Sequence, residues 1–192
     1  MLSFGKKIIG KRMDLPKNSI YPDTLDTNKI ISELDSSTKS ITDQVTGLSN
    51  EKFNFKKEKK DWSIGDCMEH LVITEQSAKK ILLGPVKYYY REYDAKVNVV
   101  KKAFSDDTKK FIASIEILPG DSSKIPDKLI ADFVNNREDI KKVIEKEDLT
   151  PLCDAFRHRL FGHFTRLEWI YFVIYHSRRH ARQIERIISS AP

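Results

Sequence analysis

The chain has 192 residues, of which 40% are hydrophobic and 32% charged, a composition typical of one soluble globular domain. Its two cysteines, Cys67 and Cys153, give no disulfide framework and favour a reducing cytoplasm, and no apolar run approaches the roughly 20 residues of a membrane span. The net charge of +6 comes from bases scattered among acids without a glycine–aromatic nucleic-acid motif, so a solvated surface is favoured over nucleic-acid binding.

The first segment, MLSFGKKIIGKRMDLP, is basic. Its apolar patch is too short and too interrupted by lysine for a secretory signal. We interpret residues 1–26 as a basic N-terminal arm and residues 27–190 as a single domain.

Apolar residues at helical spacing predict a first helix from Thr27 to Val45. A second helix begins at Ser63, a predicted N-cap with Asp66 three residues later, which is the pattern of a capping box. Gly84-Pro85 is predicted to stop or bend this helix.

The segment from Lys87 to Ser123 has no regular period and fits loop, short helix or extended chain. A third helix is predicted from about Pro126 to Glu145. The fourth is predicted from Thr165 to Ile188, with Thr165 and Glu168 as another capping box. Because no β-rich region emerges, four helices packed as an all-α bundle are the most economical architecture.

His176 and His180 lie four positions apart on the fourth predicted helix. At about 100° per residue they fall on its apolar, inward-facing stripe and not among its arginines. Buried imidazoles need partners, and one cation satisfies both. The alternative is two polar residues on an arginine-rich helix, since the spacing alone is weak evidence.

His70 favours the metal interpretation. It lies on the second predicted helix in a stripe of small or polar residues that could line a cavity. The other members of the stripe are Asp66, Cys67, Thr74, Ser77 and Ile81. A ligand on one helix and a pair on another is how helical bundles build interior metal sites.

Two segments resemble the DinB-like (YfiT-like) metal-binding superfamily. GLSNEKFNFKKEKKDWSIGDCMEHLVITEQ has the family's tryptophan–serine helix start and first histidine, and HRLFGHFTRLEWIYFVIYHSRRHARQIERI has its Glu-Trp pair and its H-x-x-x-H followed by Gln-Ile. The resemblance implies a four-helix bundle in up-down-down-up order, with a long crossover between the second and third helices. It also implies a divalent ion, zinc or nickel, held by His70, His176 and His180, and a homodimer.

Further side chains are candidates for a pocket around this ion: Cys67, Thr74, Ser77, His158, Arg179 and Gln183. His158 departs from the family's His-Pro pattern because Arg159 follows it. Glu75 points away from His70 on a helix, which favours a buried hydrogen bond or ion pair. Trp62 and Trp169 are interpreted as core anchors, and His163 as a surface residue.

Three neutral ligands leave an open coordination position, which is the catalytic pattern. Members of the resembling family include metal-dependent hydrolases and transferases of low-molecular-weight thiols. We therefore expect a divalent-metal-dependent enzyme acting on a small molecule, either a thiol S-transferase or a hydrolase, with transfer favoured. The alternative is a non-catalytic stress-response or binding protein with a structural metal.

The position of the site follows from the helix positions of its histidines. His70 lies near the start of the second helix and His180 near the end of the fourth, so these helices must be antiparallel for both to reach one ion. The sequence thus predicts a site near one end of the bundle, with the later part of the crossover, within Val97–Ser123, as a wall.

Overall fold

The computed structural model describes residues 25–190, so residues 1–24 of the predicted basic arm lie outside the described residues. Within that range the chain is mostly helical, which confirms the all-α class. The elements in chain order are α1 (Thr27–Val45), α2 (Asn50–Asn54), α3 (Ile64–Leu82), β1 (Val86–Lys87), α4 (Val97–Ser105), α5 (Pro126–Lys146), β2 (Leu152–Cys153) and α6 (Arg166–Ser190). None of the described helices combines the length and apolar character needed to cross a membrane.

Both predicted capping boxes are confirmed, and they set where the two histidine-bearing helices begin. The Asp66 N–H donates to Ser63 Oγ at 3.0 Å, and the Ser63 N–H donates to Asp66 Oδ2 at 3.0 Å. At α6 the Glu168 N–H donates to Thr165 Oγ1 at 3.1 Å, and the Thr165 N–H donates to Glu168 Oε2 at 2.9 Å. Each pair satisfies two backbone donors that the first helical turn leaves free.

Helices α1 and α3 each pack against both α5 and α6. At one end of α3, Arg166 Nε donates to the Leu82 carbonyl at 2.8 Å. Near its other end, the rings of His70 and His180 lie 5.0 Å apart. The start of α3 therefore lies beside the end of α6, and the two helices run antiparallel as predicted.

A buried polar network joins the four long helices. Arg137 of α5 donates from Nε to Glu75 Oε2 at 2.8 Å and from Nη2 to Glu75 Oε1 at 2.5 Å. The same guanidinium donates to Ser37 of α1, at 2.9 Å, and to Ser177 of α6. Glu75 and Arg137 are each 1% exposed, so Glu75 has the buried polar role that the sequence predicted, and its partner makes it an ion pair. We call these four residues the Arg137 network.

The crossover, residues 83–125, contains α4, for which the sequence pattern had left loop, short helix and extended chain open. Only Val100 and Phe104 of α4 are buried, and it packs along α6. A helix of nine residues is marginal alone and depends on such packing. The crossover then runs through a 3-10 turn at Ile115–Ile117. β1 pairs antiparallel with β2, with Val86 opposite Cys153 and Lys87 opposite Leu152.

Candidate metal centre

Three histidine side chains converge where the start of α3 meets the end of α6. His70 Nε2 lies 3.2 Å from His176 Nε2, and His180 Nε2 lies 3.1 Å from the same atom. The spacing of four residues places His176 and His180 on one face of α6, and the antiparallel packing brings His70 to that face. Among residues 25–190, these three form the one group of His, Cys, Asp or Glu side chains that could hold a metal ion.

The hydrogen bonds of the three rings favour a shared cation. His70 Nδ1 lies 2.7 Å from the Ile117 carbonyl oxygen, so Nδ1 carries the proton and donates, and Nε2 presents a lone pair. His176 Nε2 faces two other Nε2 atoms, and one ring N–H can donate to only one of them. An ion between the three nitrogens removes this conflict.

The spacing of the nitrogens also fits a metal. Zn–N bonds of about 2.0–2.1 Å in a tetrahedral site place two ligand nitrogens about 3.3 Å apart. The separations of 3.1 and 3.2 Å are close to that value. The residues therefore suit a divalent ion, and their distances do not distinguish zinc from nickel.

The electrostatic environment keeps all three rings in the form that binds metals. Burial, reinforced by the nearby His70, lowers the pKa of His180 to about 3. Burial and the neighbouring His180 and His70 lower the pKa of His176 well below its usual value, and burial lowers the pKa of His70. Only the neutral imidazole offers a lone pair to a cation, so the triad is ready to ligate at neutral pH.

The later part of the crossover forms a wall of this site, as the sequence predicted. The Phe104 ring centroid lies 5.4 Å from that of His176. Arg179 donates from Nη1 to the Asp106 carbonyl at 2.9 Å and from Nη2 to the Lys109 carbonyl at 2.5 Å. Arg179 thus holds crossover backbone beside the histidine helix, and its pocket role stays a prediction.

A second anchor holds the returning end of the crossover beside His70. Glu69 Oε2 accepts from the Gly120 N–H at 2.7 Å and from Lys124 Nζ at 2.6 Å. Lys124 is buried against Gly65, where an added Cβ would lie 2.7 Å from Lys124 Cγ. Only glycine allows this close approach of crossover and helix.

Trp62 covers the histidines. Its ring centroid lies 5.1 Å from that of His70 and 6.2 Å from that of His180, with the latter pair nearly parallel at 10°. The sequence interpretation of Trp62 was a core anchor, and the side chain does pack against core residues, but it is only partly buried. Its position directly before Ser63, at the same end of α3 as His70, was the signal that could have assigned it to the site.

The other predicted pocket residues on α3 do not join the metal group. Cys67 is fully buried in an apolar cluster, and burial raises the pKa of its thiol. Thr74 is buried and Ser77 is partly buried. The structure brings Gln183 next to the site, because it follows His180 by about one helical turn and lines a cleft with Trp62.

His158 lies in an aromatic cluster and not in the triad. Its ring centroid is 4.9 Å from Phe161 and 5.2 Å from Phe172, and burial lowers its pKa to about 4. His163 is half-buried, and its carbonyl accepts from Lys96 Nζ at 2.7 Å, so the surface interpretation was too simple. Trp169 is a buried core residue, as predicted.

The helical fold and the interior three-histidine group define a helical protein with a candidate metal site. The sequence model of the DinB superfamily matches residues 33–184, and the chain belongs to that superfamily. It is also similar to the uncharacterized protein YuaE of Bacillus subtilis (strain 168), with 25% identity across 75% of this chain and 88% of the relative. No solved structure gives a significant match.

Proposed function

We propose that the protein is a divalent-metal-dependent enzyme acting on a small molecule, with zinc or nickel held by His70, His176 and His180. The observation that carries the proposal is the convergence of the three Nε2 atoms while the Ile117 carbonyl occupies His70 Nδ1. Three neutral ligands leave a divalent ion with at least one open position, whereas structural zinc sites are closed by four protein ligands.

A bound ion of this kind supplies Lewis acidity, which lowers the pKa of a coordinated water toward about 7 or stabilises a thiolate. The chain contributes the neutral nitrogens, the orientation of His70 and a cover of aromatic rings. No carboxylate joins the triad among the described residues, so the proposal assigns no general base. A thiol that ionises on the metal does not strictly need one, which favours transfer of a low-molecular-weight thiol over hydrolysis.

The experiment combines metal analysis with two activity assays. Purified protein is analysed for divalent metals and then assayed, metal-loaded and metal-free, for transfer of small thiols to electrophiles and for hydrolysis of simple esters and amides. The proposal predicts turnover that requires metal and is lost in His176→Ala. Metal-independent turnover, or none with any substrate class, counts against it.

A second candidate is a non-catalytic binding protein in which the metal is structural. The burial of the site favours this candidate, since the three histidines are only 3–8% exposed. Cobalt-substituted protein separates the two candidates. A visible spectrum that changes when a small thiol is added indicates an open position, whereas an unchanged spectrum indicates a closed, structural site.

We also propose that residues 27–190 form one four-helix bundle. Its helices are α1, α3, α5 and α6, in up-down-down-up order. The supporting contacts are Val72 with Asn136 and Lys79 with Asp139 between α3 and α5, and Asp35 with Lys141 and Ser37 with Arg137 between α1 and α5. They support parallel α3 and α5 and antiparallel α1 and α5. An experimental structure would test this order.

We further propose a homodimer in the reducing cytoplasm. The family resemblance supports the dimer, and the free, buried state of both Cys67 and Cys153 is consistent with a reducing compartment. Sedimentation of the purified chain tests the dimer, and cell fractionation tests the location.

A further inference from the structure

A cleft of about 240 Å³ lies at the end of the bundle that carries the triad. The loop of residues 55–62, which joins α2 to α3, forms one side, and the last turns of α6 form the other. Its lining includes the side chains of Phe55, Lys57, Asp61, Trp62, Gln183 and Ile187.

Two of these side chains belong both to the cleft and to the surroundings of the histidines. The Trp62 ring stacks nearly parallel to His180 at 6.2 Å between centroids. Gln183 lies about one helical turn after His180 on α6 and lines the same cleft as Trp62. A molecule in the cleft therefore contacts the same indole ring that packs against His70 and His180.

The polar groups of the cleft are not equivalent. Asp61 Oδ2 accepts from the Glu58 N–H at 3.2 Å, so this carboxylate closes the turn of its own loop. Lys57 forms no ion pair with any described carboxylate. Asp61 keeps its charge but is held by the backbone of its own loop, whereas the Lys57 ammonium has no such partner among the described residues and can pair with an anionic ligand.

Neighbouring lysines of the same loop are engaged differently. Lys56 Nζ pairs with Asp66 at 2.6 Å, and Lys60 Nζ pairs with Glu58 at 3.0 Å. Lys59 forms no ion pair among the described residues, but it lines a separate cleft beside Gly120. Of the four lysines in this loop, Lys57 is therefore the one that lines the cleft shared with Trp62 and Gln183.

We propose that this cleft binds a small organic anion, with its acidic group on Lys57 and its apolar portion against Phe55, Trp62 and Ile187. This inference rests on the proposed function and names its substrate class: a small acid with an aromatic or alkyl body. The Gln183 amide supplies a further hydrogen bond, and Trp62 lies between the ligand and the triad.

Calorimetry with metal-loaded protein tests the inference, using 4-phenylbutyrate, its amide and 4-phenylbutylamine as probes of nearly equal shape. The carboxylate should bind about three- to tenfold more tightly than the amide, because the Lys57 ammonium meets a charge. Lys57→Ala should remove this preference and Lys57→Arg restore it. Lys59→Ala, the matched control, should leave it unchanged.

Equal affinity for carboxylate and amide, preference for the amine, no binding of any probe, or a Lys57→Ala variant that keeps the preference would each overturn the inference. Metal content of every variant is measured in parallel. Failure of the proposed function appears as missing metal or turnover while selectivity for the anion persists. Failure of this inference appears as full metal content and turnover with no such selectivity.

Discussion

His70 donates a hydrogen bond from Nδ1 to the carbonyl oxygen of Ile117, 47 residues further along the chain, at 2.7 Å. This bond fixes both the tautomer and the ring orientation of His70, as second partners of metal-ligating histidines commonly do. The bond joins the triad to the crossover, so we expect metal binding to affect the crossover as well.

Substitution of one histidine tests the ligand set. His176→Ala should lose most of the metal, expected at about one ion per chain in the unchanged protein, because it removes the ring that lies between the other two. Elemental analysis of gel-filtered protein measures this. His163→Ala serves as the control and should keep full stoichiometry. Full metal content in His176→Ala would exclude the assignment.

Acidification should release the metal. Protons compete with the ion for imidazole, so occupancy falls as pH falls. Because burial lowers the pKa of all three histidines, that of His180 to about 3, release should begin below the ordinary histidine pKa of about 6.5. Dialysis at stepped pH followed by metal analysis gives the profile, with circular dichroism to separate release from unfolding. An ion that stays bound below a pH of about 3, while the protein is still folded, would contradict ligation by these histidines.

The metal-free protein should also lose stability as the pH falls. A histidine whose folded pKa is lowered binds fewer protons folded than unfolded, so stability falls as pH drops below the unfolded pKa of about 6.5. His158, with its pKa lowered to about 4, contributes in the window from about 6.5 to 4. Urea titrations of His158→Phe should show a weaker loss of stability across this window than the unchanged chain.

Glu75→Gln should lower the free energy of unfolding and leave metal binding unchanged. Burial raises the pKa of Glu75, whereas its ion pair with Arg137 opposes that shift. Loss of its charge leaves Arg137 buried and unpaired, which costs about 3–5 kcal/mol of unfolding free energy. Glu145→Gln, on an exposed turn of α5, should cost little.

Metal content is the second measurement on these variants. Glu75 lies outside the triad, so Glu75→Gln that remains folded should keep its ion. A loss as large as that of His70→Ala would show that Glu75 helps to hold the metal.

Limited trypsin digestion tests the link between the crossover and the triad. Metal should slow cleavage after Lys109 and Lys110, which are exposed and adjoin the backbone held by Arg179. Cleavage after Lys146, at the end of α5, is the internal control and should not change. Equal rates at Lys109 with and without metal would argue that the crossover is independent of the site.

The helices and the triad could be predicted because their signals are local side-chain patterns. The capping residues Ser63 and Thr165 mark helix starts, and helical spacing places His176 and His180 on one face. The antiparallel contact of α3 and α6 followed because His70 lies near a helix start and His180 near a helix end.

The missed features have no such local signal. The partner of His70 is a backbone carbonyl, which every residue possesses, so nothing in the sequence singles out Ile117. Helix α4 buries only Val100 and Phe104, too few positions to define a period. Trp62 differs from these two, because its position directly before the capping residue Ser63 is a local signal, although the sequence does not show which rings it contacts.

His70 and His176 are 106 residues apart in the chain, and no covalent bond connects the segments that carry them other than the backbone itself. An ion shared by both is a reversible cross-link that closes this long loop. The entropy of loop closure is then part of the affinity for the metal, so loading the site and docking α6 onto α3 form one linked equilibrium. The midpoint temperature of unfolding should consequently rise with the concentration of free metal and fall when a chelator is added.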